Sequence, residues 1–177
     1  VCWLWSQGGS WPKYRASHVY RLKKQLEENT TVPFRFVCMT DGSIELEGVT
    51  SYPIKNLGLS SLTWSEHRYP QCFNRLWAFS KEAEEVLGSR FVSIDLDVQI
   101  TGNIDSILNR NEDFIIAEGN AKKNGYSGSM WMMDAGCREE VWTRLNQEEV
   151  NKACKLYTGS DQAWMRYVLG SKEAMFT

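Results

Sequence analysis

Arg90-Phe91-Val92-Ser93-Ile94-Asp95-Leu96-Asp97-Val98-Gln99-Ile100 is the stretch on which the fold turns. An apolar run of strand length ends in two carboxylates two residues apart. If the strand continues through all three residues, its period of two puts Asp95 and Asp97 on one face and Leu96 on the other. Ionised carboxylates at the end of a buried strand cost free energy unless a cation or hydrogen-bond donors compensate them, which argues for a bound ligand. Two hard oxygen donors suit Mg²⁺ or Mn²⁺ completed by phosphate oxygens and water, whereas Ca²⁺ wants more oxygens than one pair supplies. The plain alternative is two solvated aspartates in a turn after a strand.

Working outward, the residues before this strand predict a helix from Cys72 to Leu87, with Leu76, Phe79, Ala83, Val86 and Leu87 near one face and Gly88 as its stop. Further back, Val1 to Trp5 reads as a buried strand. Gln7 to Ser10 reads as a turn capping a helix that begins near Trp11 and Pro12 and runs to about Glu28, with Val19, Leu22 and Leu26 at helical spacing. Phe34 to Met39 and Val49 to Ile54 read as strands, and 56–71 as a long loop. Beyond the aspartates the pattern predicts a short helix at 104–109, strands at 114–118 and 129–133, and helices near 139–145 and 160–169. Strands alternating with helices imply an α/β sandwich with a mostly parallel, mixed sheet. In such sheets ligands bind beyond the carboxyl ends of the strands, where Asp95 and Asp97 lie.

The chain has 177 residues, enough for one domain with a real core, so 1–177 reads as a single domain, allowing for truncation at either end. A net charge of -2 gives no bulk attraction to nucleic acid or to an anionic membrane, so any anion site must be local. No apolar stretch approaches the length of a membrane span. Five dispersed cysteines without a CxxC pair fit reduced thiols and a cytoplasmic setting, with Cys2, Cys38 and Cys72 as small buried hydrophobes. With only His18 and His67 to complete a site and no CxxC pair, zinc is not the expected metal.

A metal-diphosphate site needs further parts, and each has a candidate. The Arg75 guanidinium could fork onto phosphate oxygens, or be a solvated helix arginine. Asp41, at a strand end, could bind a ribose or base, or open an Asp-Gly turn. Ser127, Gly128 and Ser129 offer hydroxyls and unobstructed amides; an ordinary loop would look similar. Asp161 and Gln162 open the last helix, where an acidic residue is also favoured by the helix dipole. Trp3 and Trp5 flank a strand end where an aromatic could stack on a base, although eight tryptophans make core packing the cheaper role for most.

Taken in order, Phe36 to Asp41, Arg75 to Phe79, Phe91 to Asp105 with DLDV and TGNID, Tyr126 to Ser129, and Gly159 to Gln162 resemble the GT-A nucleotide-diphospho-sugar glycosyltransferases. Within them they resemble the glycogenin-like and related bacterial or phage-encoded transferases. The resemblance implies a Rossmann-like α/β/α fold and transfer of a sugar from a UDP-sugar donor to a glycan, protein or small-molecule acceptor. It also implies Mn²⁺ or Mg²⁺ on Asp95 and Asp97, with Asp95 touching the ribose as well. Arg75 would contact donor phosphate or sugar, Asp161 and Gln162 would flank the reacting sugar, and Ser127 to Ser129 would line its pocket. Asp161 would serve either as base for the acceptor or as stabiliser of a cationic sugar. The expected setting is a bacterial or virus-infected cell. Two departures stand out: no histidine follows the aspartates as a third ligand, and Tyr126 stands where relatives often place Asn. The rivals are a haloacid-dehalogenase-like phosphatase, which wants Thr or Val where Gln99 stands, and an inactive sugar-nucleotide-binding module.

Overall fold

The computed structural model describes residues 1–5, 14–42, 45–54, 59, 62–63 and 72–176. The architecture is α/β with parallel and mixed sheets. The chain packs as two compact units, residues 1–55 with 92–111 and residues 56–91 with 112–177. Among the described residues no helix is long and apolar enough to cross a membrane.

In the first unit, β1 (Cys2–Leu4), β2 (Val37–Thr40) and β3 (Thr50–Pro53) form a parallel sheet in that order. Cys2, Trp3 and Leu4 pair with Cys38, Met39 and Thr40. Every residue of β1 and β2 is buried, which is why both read as continuous apolar runs rather than alternating ones. Cys2 and Cys38 lie side by side in that core as free thiols. Helix α1 (Ala16–Asn29) buries Val19, Leu22 and Leu26, the stripe that its spacing predicts. The predicted capping turn and the start at Trp11 and Pro12 lie outside the described residues. At Ala16 the helix is opened instead by Arg15, whose amide donates to His18 Nδ1 at 3.1 Å.

The aspartate of the TGNID segment fastens the far end of α1. Asp105, which opens α3 (Asp105–Leu108), takes Thr30 Oγ1 at 2.5 Å, the Thr31 amide at 2.9 Å and Thr31 Oγ1 at 2.6 Å. These donors hold its carboxyl well below the usual carboxylate range, the Thr30 hydroxyl most of all.

In the second unit the predicted helix from Cys72 to Leu87 is replaced by a 3₁₀ helix, Cys72–Phe79, a turn, and a short α2 (Ala83–Leu87) closed by Gly88 at φ 90°. Phe73, Arg75, Leu76, Trp77, Ala78 and Phe79 are all buried, too many for one stripe, so the segment's neighbours rather than an amphipathic face set its path. Cys72 is only half-buried, against expectation.

Strand β4 (Arg90–Ile94), whose first two residues belong to this unit and last three to the first, heads a four-stranded sheet of order β4-β6-β5-β7, with β5 (Phe114–Glu118), β6 (Tyr126–Asp134) and β7 (Ala174–Phe176). β5 runs antiparallel to β6 and parallel to β7. Three helices complete the unit: α4 (Glu140–Thr143), α5 (Gln147–Leu156) and α6 (Asp161–Leu169). Its aromatic core centres on Trp131, stacked on Phe79 at 5.1 Å between ring centroids and edge-on to Phe91 at 5.8 Å. Such pairs add about 0.5–1.5 kcal/mol each beyond the area they bury.

Candidate active site

In the first unit the site is built where β4 leaves the sheet. The Val1 nitrogen donates to Val92 O and Val1 O accepts from the Ile94 amide, the pattern of a parallel neighbour level with Ser93. Two residues on, Trp3 pairs with Met39 of β2. Trp5, Asp41 and Asp95 each follow the carboxyl end of their own strand, where an α/β sheet binds ligands.

The strand stops at Ile94, and a turn closed by Val98 N on Asp95 O at 3.1 Å carries Leu96 and Asp97. The same-face argument from a continuous strand therefore does not apply. Instead Asp95 is half-buried and Asp97 exposed, while Leu96 is buried beneath them. Two groups that the sequence does not point to hold this turn. Arg21 Nη2 donates to Leu96 O at 2.6 Å, and the Tyr14 hydroxyl donates to Asp97 Oδ2 at 2.9 Å.

Trp3 is only 5% exposed and gives its indole N–H to Ser93 Oγ at 2.9 Å, so it is a core residue. Trp5 is half-buried, and its buried indole nitrogen has no hydrogen-bond partner among the described residues. Asp41 is exposed. Among the described residues no group of three or more His, Cys, Asp or Glu side chains gathers. His18 Nδ1 is occupied by the Arg15 amide, and His67 lies outside the described residues. A cation held by Asp95 and Asp97 would need diphosphate and water oxygens to complete its shell.

In the second unit four predicted residues from three segments meet. The β5–β6 register jumps from Ile116↔Trp131 to Ala117↔Ser127, so Gly128, Ser129 and Met130 bulge out of the ladder with β5. The freed Gly128 carbonyl accepts from Arg75 Nη1 at 3.1 Å. Arg75 Nη2 lies 2.5 Å from Asp161 Oδ2, an ion pair with side chains only 8% and 2% exposed. A Cβ on residue 128 would stand 2.8 Å from Arg75 Nη2 and 3.5 Å from both Asp161 Oδ2 and Gln162 Oε1. Only glycine leaves room for these three side chains to converge.

Around this cluster Ser127 and Ser129 share a hydroxyl hydrogen bond of 2.8 Å. Asn124, which the sequence reading passed over, accepts from the Tyr126 amide at 2.9 Å and donates to Thr158 O at 2.9 Å, linking the bulged strand to the turn before α6. Tyr126 is a strut: its ring lies under Arg166, its hydroxyl donates to Gly170 O at 2.8 Å, and burial pushes its pKa up.

The fold is that of the GT-A glycosyltransferases. Among solved structures the chain is similar to the galactosyltransferase LgtC in complex with donor and acceptor sugar analogs, at 11% identity and TM-score 0.64 over 99% of this chain and 73% of that one. It is similar also to mouse xyloside xylosyltransferase 1, at 9% identity and TM-score 0.61 over 99% and 83%. The glycosyltransferase GlyE of Streptococcus pneumoniae matches at 8% identity and TM-score 0.58, over 99% of this chain and 44% of that one. At such identities the likeness is one of fold. No protein-family model matches the chain, and no curated protein matches its sequence. Neither the phosphatase reading nor the inactive-module reading gains support from these neighbours.

Proposed function

We propose that the protein is a metal-dependent glycosyltransferase that moves a sugar from a nucleoside diphosphate, a UDP-sugar, to an acceptor hydroxyl. The observation that carries this reading is the meeting of Arg75, Gly128, Asp161 and Gln162 in one buried cluster on a GT-A fold. A buried arginine–aspartate pair costs more in desolvation than a well-packed apolar pair of similar volume, so its presence points to use rather than stability.

In this reading Asp95 and Asp97 hold Mn²⁺ or Mg²⁺ together with the donor diphosphate, with Trp5 and Asp41 toward the nucleoside. The cation, when bound, supplies Lewis-acid stabilisation of charge on the departing diphosphate. Tyr14 and Arg21 fix the turn that carries the two carboxylates. Gln162 and the Ser127–Ser129 bulge orient the donor sugar. Asp161 has one oxygen against Arg75 and accepts from Ser160 with the other, and in this reading it serves as a fixed negative charge beside the sugar. The C1–O bond to the diphosphate breaks with its electron pair left on the departing diphosphate, the acceptor oxygen bonds to C1, and the acceptor proton passes to that diphosphate or to water.

Calorimetry with UDP and Mn²⁺ tests the reading. The wild type binds UDP in a metal-dependent way and Asp97→Ala does not; absence of UDP binding to the wild type would sink it. Hydrolysis assayed across a panel of sugar nucleotides then distinguishes an enzyme from a binding module.

A further inference from the structure

In the loop that joins β5 to β6, Asn124 follows four exposed residues, Asn120 to Lys123, and is itself only 5% exposed. The loop is closed on itself. Asn120 O accepts from the amides of Lys123, Asn124 and Gly125 at 2.9, 3.2 and 3.1 Å, and Asn120 Oδ1 accepts from that of Lys122 at 2.9 Å. The Asn124 side chain is therefore launched from a fixed backbone.

Both ends of its amide are used, by partners of opposite kind. Oδ1 accepts from the Tyr126 amide at 2.9 Å, and Nδ2 donates to Thr158 O at 2.9 Å. Turned end for end, Nδ2 would face an N–H and Oδ1 a carbonyl oxygen, so the two partners set one orientation. The first bond is an Asx turn, which Asn and Asp side chains make locally. The second crosses 34 residues of chain to the turn that leads into α6.

That turn places the site residues. α6 opens at Ser160 without a side-chain cap, and Asp161 and Gln162 are its first two residues. A Cβ on Gly159, at φ +143°, would lie 3.2 Å from Asn124 Nδ2 and 3.3 Å from Gln162 Nε2, so the two amides pack against the same bare backbone. At its other end Asn124 holds the amide of Tyr126, two residues before the glycine on which Asp161 and Gln162 converge. One amide thus joins both segments of the Gly128 cluster.

We propose that Asn124 is a positioning residue: through Thr158 O it sets the start of α6 against β6, and so the places of Asp161 and Gln162 beside Gly128. In the transferase reading those two side chains flank the donor sugar, and a displaced helix start misaligns them with it. The catalytic consequence rests on that reading; the placement of α6 does not.

The test separates the bond to Thr158 from the local turn. Asn124→Asp keeps an acceptor for the Tyr126 amide but sets a carboxylate oxygen against Thr158 O, and Asn124→Ser keeps a weaker acceptor and is too short to reach Thr158. In ¹H–¹⁵N spectra of the whole chain both variants shift the backbone amides of Asp161 and Gln162. Both also speed hydrogen exchange at the Trp164 amide, which closes the first turn of α6 on Ser160 O at 2.9 Å, while the Tyr126 amide stays protected in Asn124→Asp. Asp161 and Gln162 amides that stay in place in Asn124→Ser overturn the proposal, even if they move in Asn124→Asp, where repulsion is an added cause. In donor hydrolysis both variants lower kcat roughly tenfold to a hundredfold and leave the donor KM nearly unchanged. An unchanged kcat overturns the catalytic consequence. If the wild type hydrolyses no donor in the panel, the transferase reading fails, and the amide resonances still decide the placement. Thermal melts establish that the variants are folded at the assay temperature; if Asn124→Asp is not, Asn124→Ser decides.

Discussion

The constraint on the buried Arg75–Asp161 cluster is a missing atom. At Gly128 a single added methyl meets Arg75 Nη2 at 2.8 Å, and that guanidinium cannot retreat without breaking its bonds to Gly128 O and Asp161. Gly128→Ala is therefore expected to destabilise by about 1–3 kcal/mol, the usual scale of overpacking, and to abolish sugar-nucleotide turnover. Urea unfolding and the hydrolysis assay check the two parts separately. The ion pair makes a sharper prediction. Arg75→Met strands a buried carboxylate and costs about 3–5 kcal/mol, whereas the double variant Arg75→Met, Asp161→Leu recovers most of that stability but no activity. A double variant as unstable as the single one would show that the pair is held for packing instead. The residue types at this cluster were legible because each sits in a short motif with its own chemistry. Tyr14 and Ser160 were not: Tyr14 meets Asp97 only across 83 residues of chain, and Ser160 looks in sequence like an ordinary helix cap.

Among elements, α5 shows how a capped helix escapes a search by apolar periodicity. It buries only Val150 and Ala153, too few for a stripe, yet Asn146 accepts from the Glu149 amide at 3.0 Å and Glu148 and Glu149 occupy the first turn. Asn146→Ala is expected to cost about 1 kcal/mol and Asn146→Asp almost nothing, measured by thermal or urea unfolding. Equal losses in the two would mean that the cap bond does not hold the helix. The sequence pattern was a good guide to α1, β4, β5 and α6, whose apolar faces or runs are set by burial on one known side. It misjudged the 72–79 segment, which is buried all round, and missed β7, whose three residues are too few to show alternation. It also ended β6 short, because the bulge at 128–130 breaks the period of two in the middle of the strand.

At the scale of the whole molecule the ionic groups predict an acid limb of stability. Among the described residues three carboxylates are held below their usual range: Asp105 by the Thr30 and Thr31 hydroxyls, Asp113 by Arg138, and Glu149 by Lys152 and then Arg144, the last to about 2 from an ordinary 4.5. For each, the unfolded chain binds its proton at a higher pH than the folded one. Stability is then fully present above the ordinary carboxylate values and falls as pH drops through the folded ones. Glu149 contributes its share of the loss between about 4.5 and about 2. Denaturant midpoints measured down this range are expected to decline, and Glu149→Gln removes part of the slope. Salt separates the causes. Glu149 is held chiefly by exposed charged partners, so about 0.5 M NaCl should shrink its contribution, while Asp105, held by hydroxyls and an amide, keeps its own. An acid slope that vanishes entirely in salt would mean that the Asp105 clamp on α1 is not formed in solution, and Asp105→Asn would then leave the slope at low salt untouched.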